Sequence, residues 1–144
     1  MERIKLNLPE AFTFNILLNI RITDLNYGGH VGNDSFLSFV HEARQQFLLY
    51  HHYSEMNVEG VALIMANAAI EFKRELSFNQ QIRIWVTATG FDKLGFDFYY
   101  KIEVLENMEW LLAGKAKTGM LCFDYNEKKK ISVPARAIQK FMAA

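Results

Sequence analysis

The strongest constraint on this chain is its order of patterns: one strand, one long segment of helical period, then an unbroken series of strands. In SFLSFVHEARQQFLLYHHY, Phe36, Val40, Ala43, Phe47 and Tyr50 recur at the spacing that lines one side of a helix. This predicts a helix over about 35–53, opened by Asn33 or Asp34 as N-cap. The preceding segment, Phe12–Thr23, puts Phe14, Ile16, Leu18, Ile20 and Ile22 on one alternating face and reads as a strand. After the helix, Val61–Lys73, Gln81–Phe91, Gly95–Leu105 and Trp110–Tyr125 read as strands. The third alternates Phe96, Phe98, Tyr100, Ile102 and Val104 against Asp97, Tyr99, Lys101 and Glu103, so one face is buried and the other polar.

Turn chemistry at Glu106–Glu109 and at NEKKK joins the last strands, the second turn leading into Ile131–Ser132–Val133. Pro134 then suits the first position of a short helix, RAIQKF, whose Ile138 and Phe141 dock on the body. The sum is an α+β domain spanning residues 1–144, a long central helix wrapped by a curved antiparallel sheet of five to six strands. One such helix can be only half covered, and aromatic residues make up 14% of the chain, so more apolar surface is expected than one copy can bury. A homodimer or homotetramer follows as the expectation.

Sixteen basic and sixteen acidic side chains cancel, leaving no global field to hold a nucleic-acid backbone or an anionic membrane. The N-terminal MERIKLNLPEAFTF has no basic segment followed by a sustained apolar run, and no 18-residue apolar stretch occurs, so neither signal peptide nor membrane span is expected. Cys122 is the only cysteine, which excludes an intramolecular disulfide and fits a reducing, cytoplasmic setting. Inside an apolar strand it reads as a small buried hydrophobe. His41, His51 and His52 lack metal-ligand spacing, since adjacent helical residues diverge by about 100°, and read as surface residues. Lys128–Lys130 reads as a solvated hairpin turn. Phe91, Phe96, Phe98 and Tyr100 read as core or interface, and Glu42 with Arg44 as a solvated or interface pair.

The segment joining the first strand to the helix, DLNYGGHVGNDSF followed by HEAR, carries the chemistry. It resembles the helix entry of the 4-hydroxybenzoyl-CoA thioesterase branch of the hotdog superfamily, through His30, Val31, Asn33, Phe36, Glu42, Ala43 and Arg44. The resemblance continues in Ala69–Glu75 and in the closing Pro134, and so covers nearly the whole chain. It implies a hotdog fold, a dimer with sites at the subunit boundary, and metal-independent hydrolysis of acyl-CoA or acyl-carrier thioesters. No cofactor is implied, because coenzyme A is part of the substrate. The resemblance places the oxyanion donor at or beside the amide of Asn33. A helix N-terminus supplies unpaired N–H groups and a positive dipole end for that role, and Gly28, Gly29 and Gly32 allow close approach to backbone.

One position departs from the pattern. Where the family carries its catalytic carboxylate, four residues before the histidine, this chain has Asn26, and an amide cannot take a proton from water near neutral pH. Asp24, Asp34, Glu42 and His30 itself remain as bases, with Asp24 or Glu42 the first choice and Asn26 and His30 orienting water or carbonyl. For Asp24 this requires extended chain, which would turn its carboxylate to the same side as Asn26. Asp34 can cap the helix or reach the thioester, but hardly both. Two rival readings stand beside hydrolysis. DLNYGGH also resembles the Asp-x-Asn-Pro-x-His element of hotdog hydratases, with Tyr27 in place of the proline and His30 one residue late. Loss of the carboxylate also suits a hotdog dimer that binds acyl-CoA or acyl carrier without turning it over.

Overall fold

The computed structural model describes residues 1–143. Strand β1 (Phe14–Asn19) is followed by a 3-10 turn (Ile22–Asp24) and helix α1 (Asn33–Tyr50). Strands β2 (Ala62–Phe72), β3 (Gln81–Thr89), β4 (Gly95–Glu106), β5 (Glu109–Asp124) and β6 (Lys129–Lys130) follow, and α2 (Ala135–Ala143) closes the described chain. The sheet is antiparallel throughout in the order β1-β3-β4-β5-β2, with β6 added to β5. The six strands fall within the five to six of the α+β architecture that the order of patterns predicts.

Alternation decides which face meets the helix. In β3, Ile82, Ile84, Val86 and Ala88 are buried, and in β4 Phe96, Phe98, Tyr100, Ile102 and Val104 are buried, each set alternating with half-exposed residues. Helix α1 lays Phe36, Phe39, Val40, Ala43, Phe47 and Leu48 on that face. Its other side leaves Leu37, Leu49 and Tyr50 exposed, the bare outer face expected of a single central helix. At one end of the core, Phe141 of α2 packs on Phe47, Phe96 and Phe98, so the C-terminal helix docks through Phe141 as expected, with Ile138 partly buried beside it.

Several local expectations are corrected. The first strand ends at Asn19, and the chain turns into the 3-10 segment, which carries Ile22 out to 68% exposure instead of onto the inner face. Tyr50 leaves the helical stripe for solvent because the helix ends there, short of residue 53. The N-cap is neither Asn33 nor Asp34 but Gly32, extended at φ −70°, ψ 153°, whose carbonyl accepts the amides of Ser35 and Phe36. The last pairing falls on Lys129–Lys130, so only Lys128, at φ +53°, stays in the turn, and Ile131 and Val133 bond singly to Cys122 and Lys93. His51 is not a surface residue: its ring lies between Phe47 and Phe141 and is buried, while His41 and His52 are exposed. Arg44 is buried too, and its partner is Glu55 at 2.6 Å, not Glu42.

Candidate active site at the start of the central helix

The loop between β1 and α1 is tied down from both ends. Asp24 closes the 3-10 turn, and its carboxylate accepts the Arg21 amide at 2.8 Å and the Arg21 guanidinium at 3.4 Å. Its carbonyl accepts the Ser35 hydroxyl at 2.9 Å and the Gly32 amide at 3.2 Å, which fastens the turn to the helix start. Between these points, residues 26–29 form a turn: Asn26 carbonyl accepts the Gly29 amide, Asn26 Oδ1 accepts the Gly28 amide at 2.9 Å, and Gly29 takes φ +81°. Glycine suits that left-handed angle because it has no Cβ to clash. The chain then returns through Val31, whose amide donates to Leu76 beyond β2.

This bonding leaves one backbone donor open at the helix start. Of the first four amides of α1, Ser35 and Phe36 donate to Gly32 and Asp34 donates to Asn33 Oδ1, so among the described residues only the Asn33 amide has no protein partner. Asn33 lines a cavity of about 360 Å³ with Val31, Phe36, Phe72, Lys73, Arg74 and Glu75. Phe36 and Phe72 meet edge to face at 5.0 Å to make its apolar wall. An open amide at the positive end of an 18-residue helix, above an aromatic wall, can stabilise a carbonyl oxygen that is gaining charge.

The two first-choice carboxylates are engaged with other partners. Asp24 is 6% exposed with its oxygens on Arg21, and the 3-10 turn removes the extended geometry that would turn it beside Asn26. Glu42 is nine residues along the helix from Asn33, which places it about half a turn round the axis. It is exposed, accepts the Gln46 amide at 3.1 Å, and shares a second cavity with Asp24, Leu18 and Phe39. His30 is half exposed and directs Nε2 to Glu75 at 3.3 Å, so it does not pair with Asp24 as a hydratase-like element would need.

Asp34 follows Asn33 directly in the first turn of α1. Its carboxylate accepts no protein hydrogen bond from the helix amides among the described residues, where Asp34 N–H goes to Asn33 Oδ1 and Ser35 and Phe36 N–H go to the Gly32 carbonyl. A Cβ placed on Gly32 would lie 2.4 Å from Asp34 Oδ1 and 3.6 Å from Asn26 Cβ. The missing side chain of Gly32 is therefore the space in which the Asp34 carboxylate comes up beside Asn26. Glu75, marked in the sequence only as the end of Ala69–Glu75, joins the cavity beside Asn33 and meets His30. Its place depends on the contact between Val31 and Leu76, which no local pattern reveals.

Further along α1, Arg44 donates to Tyr100 at 3.3 Å as well as to Glu55, and the Tyr100 hydroxyl meets Thr118 at 2.7 Å. Burial holds the Tyr100 phenol above its ordinary pKa, so it remains neutral within this network. Arg44, Glu55 and Thr118 border a third cavity with Leu63, Met65 and Met120.

Comparison with known proteins agrees with this layout. Residues 20–142 match the family described as the thioesterase-like superfamily. An acyl-CoA thioester hydrolase, YbgC, from Escherichia coli O6:H1 is 24% identical over 120 residues, covering 82% of this chain and 87% of the relative. A 1,4-dihydroxy-2-naphthoyl-CoA thioesterase from Synechocystis superposes with TM-score 0.78 at 26% identity, covering 90% of this chain and 95% of its own. A thioesterase superfamily protein from Jannaschia sp. CCS1, at 16% identity, shares the fold with TM-score 0.82 over 93% of this chain and 84% of its own. The family match runs from the end of β1 into α2 and the shared fold takes in nine-tenths of the residues, so this chain belongs to the thioesterase-like superfamily.

Proposed function

We propose that this protein hydrolyses acyl-CoA thioesters, with the carbonyl oxygen held by the Asn33 amide and water activated by Asp34. The single observation that carries the reading is the open Asn33 amide at the head of α1, on a residue that lines the cavity walled by Phe36 and Phe72. Asp34 takes a proton from water, and the hydroxide forms a bond to the carbonyl carbon while the carbonyl π pair moves to oxygen and is held by the Asn33 N–H. Collapse of that adduct breaks the carbon–sulfur bond, and the leaving thiolate accepts the proton from Asp34. The products are a carboxylic acid and a free thiol, and the sequence of steps uses no metal. Asn26, whose Oδ1 is held by Gly28, keeps its Nδ2 protons to orient the attacking water. General-base assistance of this kind contributes roughly 10²–10⁴ in rate.

Self-association belongs to the same proposal. Among the described residues strand β2 pairs only with β5, and along its open edge Met65, Ala66, Asn67 and Ala68 are exposed. An unpaired strand edge with small and apolar residues is a template for a second copy, so a homodimer built on β2 is the proposed assembly. A cytoplasmic location suits Cys122, buried and unpaired. Asn26 favours one other reading, a hotdog dimer that binds acyl-CoA without turnover. Thiol release from a panel of acyl-CoAs, acetyl to palmitoyl plus benzoyl types, separates the two. Hydrolysis predicts release that falls in Asp34→Asn, whereas binding alone predicts a stable acyl-CoA complex and no thiol.

A further inference from the structure

Ahead of β1 the chain crosses the face of the sheet opposite α1. The Leu6 amide donates to the Glu71 carboxylate, Lys115 Nζ donates to the Leu6 carbonyl at 3.2 Å, and the Phe12 ring lies 5.3 Å from Lys101 Nζ. Glu71, Lys115 and Lys101 are register partners across β2, β5 and β4, so they share this outer face. Between the arm and the sheet lies a groove of about 590 Å³ bordered by Arg3, Lys5, Lys73 and Lys115, with Glu2 and Glu71 as its carboxylates.

Those charges are not a by-product of composition, since the chain as a whole is neutral. Glu71 is committed to Lys73, 3.0 Å away, and to the Leu6 amide, while Arg3, Lys5 and Lys115 make no carboxylate contact within 4.0 Å among the described residues. Arg3 and Lys5 are thus left exposed, and Lys115, half-buried with its Nζ on the Leu6 carbonyl, adds a third cation without a carboxylate partner, an arrangement in a concave site that suits an anion with several oxygens. The groove also adjoins the candidate active site. Phe72 and Lys73 border both it and the cavity beneath Asn33, so a ligand passing the end of β2 reaches from one to the other.

We propose that this groove binds the phosphates at the nucleotide end of coenzyme A, the 3′-phosphate and the diphosphate, through Arg3, Lys5 and Lys115. The assignment rests on the thioester reading, and it makes the N-terminal arm part of the substrate site. Exposed lysine and arginine contacts to phosphate discriminate by about tenfold when several act together. The test compares three thioesters of one acyl group, carried on coenzyme A, on dephospho-coenzyme A and on pantetheine. The native protein is expected to prefer the coenzyme A thioester over the pantetheine thioester by about tenfold or more in kcat/KM, with the dephospho form between them. In Arg3→Glu/Lys5→Glu, and separately in Lys115→Gln, that ratio is expected to fall towards one. Equal kcat/KM for the three thioesters in the native protein, or a ratio unchanged by the variants, overturns the groove assignment. Adenosine 3′,5′-bisphosphate titrated into the native protein and Arg3→Glu/Lys5→Glu by calorimetry reads the groove without catalysis. If no thioester is cleaved, binding lost in the variant retains the groove while the hydrolase reading fails, and absence of native binding removes the groove.

Discussion

Gly32→Ala tests the placement of Asp34 without touching a titratable group. The new Cβ would stand 2.4 Å from Asp34 Oδ1, against an ordinary contact of 3.4–4 Å, so the carboxylate must retreat by about 1 Å. The backbone has no reason to follow, because Gly32 already sits at φ −70°, ψ 153°, which alanine adopts freely, and the clashing atom is the free end of a side chain. Alanine is a poorer N-cap than glycine by roughly 0.5–1 kcal/mol, which lowers Tm by about 2–4 °C. A 1 Å displacement of a catalytic group costs up to about 10²-fold in rate. The expected result is a folded protein with kcat for thiol release reduced by roughly 10–10²-fold. Thermal unfolding and acyl-CoA turnover, measured on the same preparation, check both parts. Native kcat in Gly32→Ala would refute the reasoning, since it would show that the position of the Asp34 carboxylate is immaterial; a collapse in Tm would show that Gly32 is required by the backbone instead.

Other consequences follow from the core and the turns. Burial first, then the positive charges of Lys140 and His52, hold the His51 imidazole below its ordinary pKa. The unfolded chain therefore takes up a proton at higher pH than the fold does, so this contribution to stability is present above about pH 6.5 and is lost as pH falls below it. Tm is expected to drop more between pH 7.5 and 5.5 in the native protein than in His51→Phe, and equal drops would contradict that. The Cys122 thiol, 1% exposed and pushed up to about 11 by burial, is expected to resist maleimide at pH 8 until the chain is unfolded. In the β4–β5 hairpin, Asn107 and Met108 both take positive φ, so Met108→Gly relieves left-handed strain and is expected to raise Tm by roughly 3 °C in a thermal melt.

Much of the fold was legible because it depends on local period. The alternation in Gly95–Glu106 named its buried residues one by one, and the apolar spacing in α1 named four of the residues that face the sheet. The site was legible only in part. The loop and the helix start were visible from DLNYGGHVGND, yet which carboxylate lies free beside them depends on three-dimensional bonding. Asp24 was withdrawn by a 3-10 turn closed through Arg21, a contact that an extended reading of the strand hides. Asp34 lies with its Oδ1 over Gly32, which caps the helix in place of Asn33 or Asp34, and caps one residue apart look alike in sequence. Arg44 with Glu55, His30 with Glu75, and the arm on Lys115 join residues 11, 45 and 109 positions apart, beyond the reach of any spacing argument.

The central claim is that the carboxylate lost at position 26 is replaced from position 34. The most direct measurement is steady-state thiol release by the native protein, Asp34→Asn and Asn26→Asp/Asp34→Asn with the best acyl-CoA of the panel. Asp34→Asn is expected to lose about 10² or more in kcat, and the double variant, with a carboxylate returned to the loop, to recover a large part of it. Native turnover in Asp34→Asn, or a double variant no faster than Asp34→Asn, would contradict the replacement and leave the base elsewhere.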